Sequence, residues 1–192
     1  YSPSFTFGLN RSQIDEDWQN VFSLFQYKCS HHIASSTEIN NCGFCYYCGI
    51  GVEKNLDKAF QLYKIASDQG NLSAKANLAI CYKNGDGVEK NVDEAFRLFK
   101  TASDGGNLYA TCHLAICYEN GSGVKKNLEE AFRLYQTASD RGNFYATNSL
   151  AICYENGSGV KKNLDEAIRL YTIASDRGNL NATTNLAICY EN

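Results

Sequence analysis

With 192 residues, 44% of them hydrophobic and 20% charged, the chain carries enough apolar material for a sizeable core and falls outside the disordered class. Eighteen basic and 21 acidic residues leave a formal charge of -3, a balance that offers no single-sign field to nucleic acid or to an anionic membrane surface. No run reaches the roughly 18 apolar residues of a membrane span, and no charged-then-apolar leader resembles a signal peptide, so neither a membrane nor a nucleic acid is expected as partner.

Residues 1–11, with the only proline at Pro3 among Ser2, Ser4, Thr6 and Gly8, read as an extended lead-in. Over 12–35 the pattern becomes helical: Ile14, Trp18, Val21, Phe22, Leu24, Phe25 and Cys29 fall mostly at helical spacings. Ser12 is the expected N-cap, with Asp15, Glu16 and Asp17 in the first turn, where the helix dipole favours anions. Val21-Phe22-Ser23-Leu24-Phe25-Gln26 is similar to Ala59-Phe60-Gln61-Leu62-Tyr63-Lys64. This helix therefore reads as the divergent second helix of a preceding unit, capping the array that follows.

From residue 36 the chain repeats itself in steps of 36. Cys45 recurs as Cys81, Cys117, Cys153 and Cys189; Gly49 as Gly85, Gly121 and Gly157; Ala59 as Ala95, Ala131 and Ala167. A fixed period of this length means stacked supersecondary units that cannot bury their apolar faces alone. The units are 36–71, 72–107, 108–143 and 144–179, with a half unit at 180–192. In the unit 72–107, Ala74, Leu78, Cys81 and Tyr82 form one helical stripe that Ala79 and Ile80 widen. Asn84-Gly85 ends that helix, Gly87 keeps the following turn tight, and Val88 plugs the loop. The second helix starts at Asn91, with Glu94 placed to complete a capping box, as at Asn127 with Glu130 and Asn163 with Glu166. Ala95, Leu98, Phe99 and Ala102 make its stripe, and the recurring alanine implies a close helix–helix approach. Gly106 closes the unit and Asn107 caps the next. The chain contains no Met and stops at Glu191-Asn192 in mid-unit, so a piece of a longer protein is expected.

A first helix ending Leu-Ala-Ile-Cys-Tyr, then x-Asn-Gly-x-Gly-Val, then Ala-Phe-x-Leu-Phe/Tyr and Ala-Ser-Asp-x-Gly-Asn, resembles the Sel-one-like repeats, relatives of the tetratricopeptide repeats, over residues 36–192. The resemblance implies an all-α, right-handed superhelical solenoid of antiparallel helix pairs, used as a non-catalytic scaffold or adaptor that binds a protein or peptide. Such arrays accompany a kinase-like domain in some eukaryotic proteins, so the alternative is a regulatory or substrate-docking segment of a larger enzyme. This chain departs from the family pattern in placing Ser67, Ser103, Ser139 and Ser175 where a second alanine is usual, and Cys where a larger apolar residue is usual. Both changes are expected to loosen packing slightly.

Five of the nine cysteines are one structural position, and equivalent positions in neighbouring units stand about 8–10 Å apart, beyond the ~7 Å Cα limit for a disulfide. Buried thiols are therefore expected. Secreted bacterial relatives carry two bridging cysteines per unit; one recurs here, which points to a reducing compartment and a cytoplasmic location. Cys42, Cys45 and Cys48, with Cys29, His31 and His32, offer ligand types for zinc. The repeat register already accounts for Cys45 and for Cys42 at the place of Leu78, so no metal or other cofactor is expected. The sequons at Asn10, Asn71, Asn120, Asn156 and Asn181 coincide mostly with expected capping positions. No catalytic constellation is present. His113 replaces Asn77, Ser149 and Asn185 and reads as a solvated or ligand-contacting residue.

Units that share a fold vary where the fold relaxes. In the first helix the varying sites are Ser73/Tyr109/Tyr145/Asn181, Ala76/Cys112/Asn148/Thr184, Asn77/His113/Ser149/Asn185 and Lys83/Glu119/Glu155/Glu191. They lie opposite Leu78 and Tyr82 and form the expected partner-binding stripe on the concave side, with Tyr109 and Tyr145 as its anchors. Leu186, Ile188 and Tyr190 would be left open at the C-terminal end, a surface for self-association.

Overall fold

The computed structural model describes residues 11–30 and 33–191. Among these are ten helices and no strand: α1 (Arg11–Ser30), α2 (Ser36–Cys48), α3 (Leu56–Asp68), α4 (Leu72–Asn84), α5 (Val92–Asp104), α6 (Leu108–Asn120), α7 (Leu128–Asp140), α8 (Phe144–Asn156), α9 (Leu164–Asp176) and α10 (Leu180–Glu191). Two compact units are formed, residues 1–91 with α1 to α4 and residues 92–192 with α5 to α10. Within each unit every helix packs on its neighbour in sequence. The even-numbered helices, here the A helices, begin the repeats; α3, α5, α7 and α9 are the B helices. No helix among the described residues is long and apolar enough to cross a membrane.

The expected lead-in at 1–10, with Pro3 and Asn10, lies outside the described residues. Arg11 and Ser12 are already helical, so Ser12 is not the cap, and Asp15, Glu16 and Asp17 stand beyond the first turn. The link from α1 to α2 is made further on. Ser35 caps α2 in a true capping box with Glu38, whose carboxylate also pairs with Lys28 of α1. The Lys28 ammonium, with the Ser35 donors, holds the Glu38 carboxyl down to about 2.

The capping boxes expected on the B helices do not form at Asn127 and Asn163. Each asparagine does cap, its Oδ1 accepting from the Glu130 and Glu166 amides at 3.0 and 3.1 Å. The cap's own amide is already bound, to the Tyr118 or Tyr154 carbonyl at the end of the preceding A helix, at 2.9 Å. Glu130 and Glu166 turn instead to Arg133 and Arg169, each in a two-pronged pair.

One buried stripe per helix makes the core: Leu114, Ala115 and Cys117 on α6, and Ala131, Leu134, Tyr135 and Ala138 on α7. Between repeats, an aromatic of one B helix meets the tyrosine of the next A helix edge-on. Phe60–Tyr82 and Phe96–Tyr118 both have ring centroids 5.5 Å apart at 86°, the arrangement that aromatic quadrupoles favour. Phe22 of α1 meets Tyr46 in the same way, at 5.1 Å and 89°.

Three of the four recurring serines do not loosen packing. Ser103, Ser139 and Ser175 pair their hydroxyls with Thr111, Thr147 and Thr183 of the following A helix at 2.9, 2.8 and 2.7 Å. Thr111 and Thr147 are buried. An alanine at the serine position would leave these buried hydroxyls one partner short.

The second glycine of each loop does more than tighten a turn. A Cβ on Gly123 would lie 2.4 Å from the Val92 carbonyl oxygen, and one on Gly159 would lie 2.1 Å from that of Leu128. These glycines let the loop rest on the backbone that opens the preceding B helix. Gly142 has the same left-handed backbone, φ +89, but open space around it. Gly142→Ala should therefore cost only the conformational penalty of about 1–2 kcal/mol. Gly123→Ala should add the clash and cost about 2–5 kcal/mol. Denaturant melts of the two variants check the difference, and equal losses would count against the contact.

Candidate partner-binding face

Each A helix buries one side and leaves the other open, and the open side carries the varying positions. In the unit 92–192 these belong to α6, α8 and α10. Tyr109 and Tyr145 occupy the same turn of α6 and α8 and are 49% and 62% exposed. Tyr145 lies beside Phe144, rings 4.5 Å apart. Asn181 and Thr184 are exposed on α10, where the Thr184 hydroxyl donates back to the Leu180 carbonyl at 3.1 Å.

Other members of the expected stripe have structural duties. Asn148 is buried and accepts from the Asn185 amide at 3.2 Å, a rung between α8 and α10. Ser149 is half-buried, as is Cys112. His113 is not a solvated residue: it stacks on Phe99 at 5.1 Å and 15° and meets the Tyr109 ring edge-on at 4.5 Å. It thereby braces Tyr109 from below. Glu119 and Glu155 accept hydrogen bonds from the Tyr135 and Tyr171 hydroxyls of the B helix in their own repeat, at 3.0 and 2.6 Å. Burial, and then the neighbouring carboxylate, pushes both phenols well above the ordinary tyrosine range. Glu191 is exposed.

In the unit 1–91, Ser73 of α4 is exposed, while Asn77 donates to Asn40 of α2 at 3.0 Å, a rung equivalent to Asn185–Asn148. Lys83 is half-buried near the end of α4. Ala76 does not belong on an open face at all: it is 0% exposed, and a partner cannot touch it without opening the core.

One component of the face was not singled out from the sequence. Ile116 and Ile152, which repeat Ile80 unchanged and read as core from the sequence, are only half-buried and lie between Tyr109 and Glu119, and between Tyr145 and Glu155. Ile188 on α10 and Phe44 on α2, at the same register position, are exposed. Looking for variation cannot find an invariant row; the helical angle between 109 and 116 could have.

Among the described residues no group of three or more His, Cys, Asp or Glu is arranged to hold a metal ion; His31, His32 and the Cys29 side chain lie outside them. Cys42, Cys45, Cys81, Cys117 and Cys153 are buried. Of the sequon asparagines within the described residues, only Asn71 caps a helix; Asn120 and Asn156 end helices, and Asn181 lies within one.

Helix pairs of this length, repeated with αL glycine stops and a glycine seated on the preceding helix, define an α-solenoid built of tetratricopeptide-like units. The model of the Sel1 repeat matches residues 39–71, 72–107, 108–143 and 145–179. The chain belongs to the Sel1 repeat family. It is similar to a Sel1 repeat protein from Oxalobacter formigenes, with 28% identity over 92% of this chain and 75% of that one, TM-score 0.78. A protective antigen of uropathogenic Escherichia coli with the same repeat fold is 25% identical over 88% of this chain and 36% of its own, TM-score 0.77. Helicobacter pylori cysteine-rich protein B is 26% identical over 69% of this chain and 96% of that one, TM-score 0.54. No curated protein matches the chain. Sel1 repeat proteins are in general scaffolds for protein interaction and not catalysts.

The buried thiols give this array a pH signature. Burial raises Cys81 to about 12 and Cys153 to about 11, from an ordinary value of 9.0. A raised folded value means that the stabilisation is complete below pH 9 and is lost as pH climbs towards 11–12, where the unfolded chain releases protons that the folded chain holds. Melting temperature should thus fall between pH 9 and 11, and Cys81→Ala with Cys153→Ala should flatten that fall. An unchanged slope in the variant would contradict it.

Proposed function

We propose that the chain is a protein-binding adaptor working in the reducing cytoplasm and that its partner lies along the open face of the A helices in residues 92–192. The observation that supports this reading is the pair Tyr109 and Tyr145. Two large aromatics stand exposed at equivalent positions of adjacent repeats, one of them braced by His113, next to the Ile116 and Ile152 row. Rigid aromatic side chains contribute contact area at small entropic cost and are favoured hot-spot residues. Neither takes part in the buried stripe, so removing them should leave the fold intact. Tyr109→Ala with Tyr145→Ala should abolish reproducible capture of a partner from native lysate, with helical circular dichroism and melting unchanged. Capture at the wild-type level would place the site elsewhere.

A specific observation also favours self-association through α10. Leu180 and Tyr190 are 80% and 72% exposed there, and Ile188 is open as well; exposed apolar side chains of this kind draw partners. Light scattering should give a mass above the monomer at high concentration, reduced by Tyr190→Ser; a monomer throughout would reject it.

A further inference from the structure

Charge in residues 92–192 is sorted by helix type. The A helices α6, α8 and α10 contain no Lys or Arg, and their only charged side chains are Glu119, Glu155 and Glu191. Every cation of this stretch stands on a B helix or in a loop. On the B helices Arg97, Arg133 and Arg169 are neutralised locally by Glu94, Glu130 and Glu166. On the A side the bonds are of another kind. Glu119 and Glu155 accept from tyrosine hydroxyls, and a neutral phenol leaves the carboxylate charge whole and most of its acceptor sites free. None of the ion pairs among the described residues involves Glu119, Glu155 or Glu191. In the sequence of α4, Lys83 takes the same repeat position.

The open face therefore carries a line of unneutralised carboxylates along one edge, an isoleucine row in its middle and the Tyr109 and Tyr145 rings beyond it. Carboxylates and aromatic faces without a competing cation are together what a guanidinium or ammonium group seeks. We propose that this face binds an extended basic peptide bearing Arg or Lys at every third residue. The spacing follows from the fold. A helices of successive repeats lie side by side, as the Asn185–Asn148 rung between α10 and α8 shows. Packed helices stand about 8–10 Å apart, and an extended chain in the polyproline II conformation advances about 3.1 Å per residue with about three residues per turn, so one repeat is crossed in about three residues and every third side chain faces the same way. The inference rests on the partner-face reading given above and adds the chemistry of the ligand.

The probe is a fluorescein-labelled peptide with arginine at every third position among prolines, which hold it extended, titrated with the full chain and followed by anisotropy at about 0.15 M salt. Binding of this peptide, rejection of its glutamate counterpart, and at least tenfold weaker binding to Glu119→Gln with Glu155→Gln are expected. Glutamine still accepts the phenol bond, so that variant keeps its fold, which its melt verifies. Glu191→Gln, at an exposed position, provides an independent variant and should weaken binding as well. Glu129→Gln with Asp165→Asn removes the same charge from the B helices and should change nothing. No binding of the arginine peptide, or equal weakening by the two double variants, would overturn the proposal. If partner capture depends on Tyr109 and Tyr145 while the arginine peptide does not bind, the basic-ligand inference alone fails; loss of both results removes the partner face with it.

Discussion

The contact on which the architecture depends is backbone against backbone: the second glycine of the loop in three successive repeats pressed onto the carbonyl that opens the preceding B helix. At Gly87, Gly123 and Gly159 a methyl group would lie 2.1–2.4 Å from that oxygen. A contact with so little tolerance ties each loop to the helix pair before it. The asparagine amides at 91, 127 and 163 add a second tie, each bound to a tyrosine carbonyl of the A helix in its own repeat. Between them these ties fix loop length and the phase of every unit. The edge-on Phe–Tyr contacts and the Ser–Thr pairs then recur at nearly unchanged distances because the backbones that carry them are already in register.

Within that frame the repeats vary in correlated ways. Glu119 and Glu155 accompany Tyr135 and Tyr171, whereas Lys83 stands in the repeat whose B helix has Phe99, a ring with no hydroxyl to donate. Asn148 accompanies Asn185, as Asn40 accompanies Asn77. Part of what differs between repeats is thus internal pairing, in which one residue type calls for another. Tyr109 and Tyr145 differ from these cases, since neither completes a buried polar pair, and their exposure has no counterpart in the core.

The period, the helices, the asparagine caps and the glycine stops were all legible in the sequence, because each is a local signal repeated several times. The capping boxes at Asn127 and Asn163 were misread because the amide they needed is taken by a carbonyl from the preceding helix, a partner that a four-residue pattern does not reveal. Ser103 with Thr111 looked like a packing defect for the same reason: the benefit appears only when two helices meet. At the candidate face, variation among repeats located Tyr109 and Tyr145 correctly as exposed residues. It also swept in Ala76 and Asn148, which are buried, and passed over Ile116 and Ile152, which do not vary. Variation reports freedom from fold constraints and says nothing of direction; helical phase supplies the direction.

The two layers divide the electrostatic work. The B helices α5, α7 and α9 neutralise their own charges, with Glu and Arg one turn apart, where such pairs contribute only a few tenths of a kcal/mol each. The A helices α6 and α8 have no such internal neutralisation, yet their carboxylates Glu119 and Glu155 remain seated at the edge of the core by hydrogen bonds from buried phenols. A charge held in place by a neutral donor adds little to stability and keeps its attraction for a cation from outside. The core stripes of α6 and α8 are complete without Tyr109, Tyr145 or the outer carboxylate oxygens, so these groups add little to the packing that holds the helix pairs together.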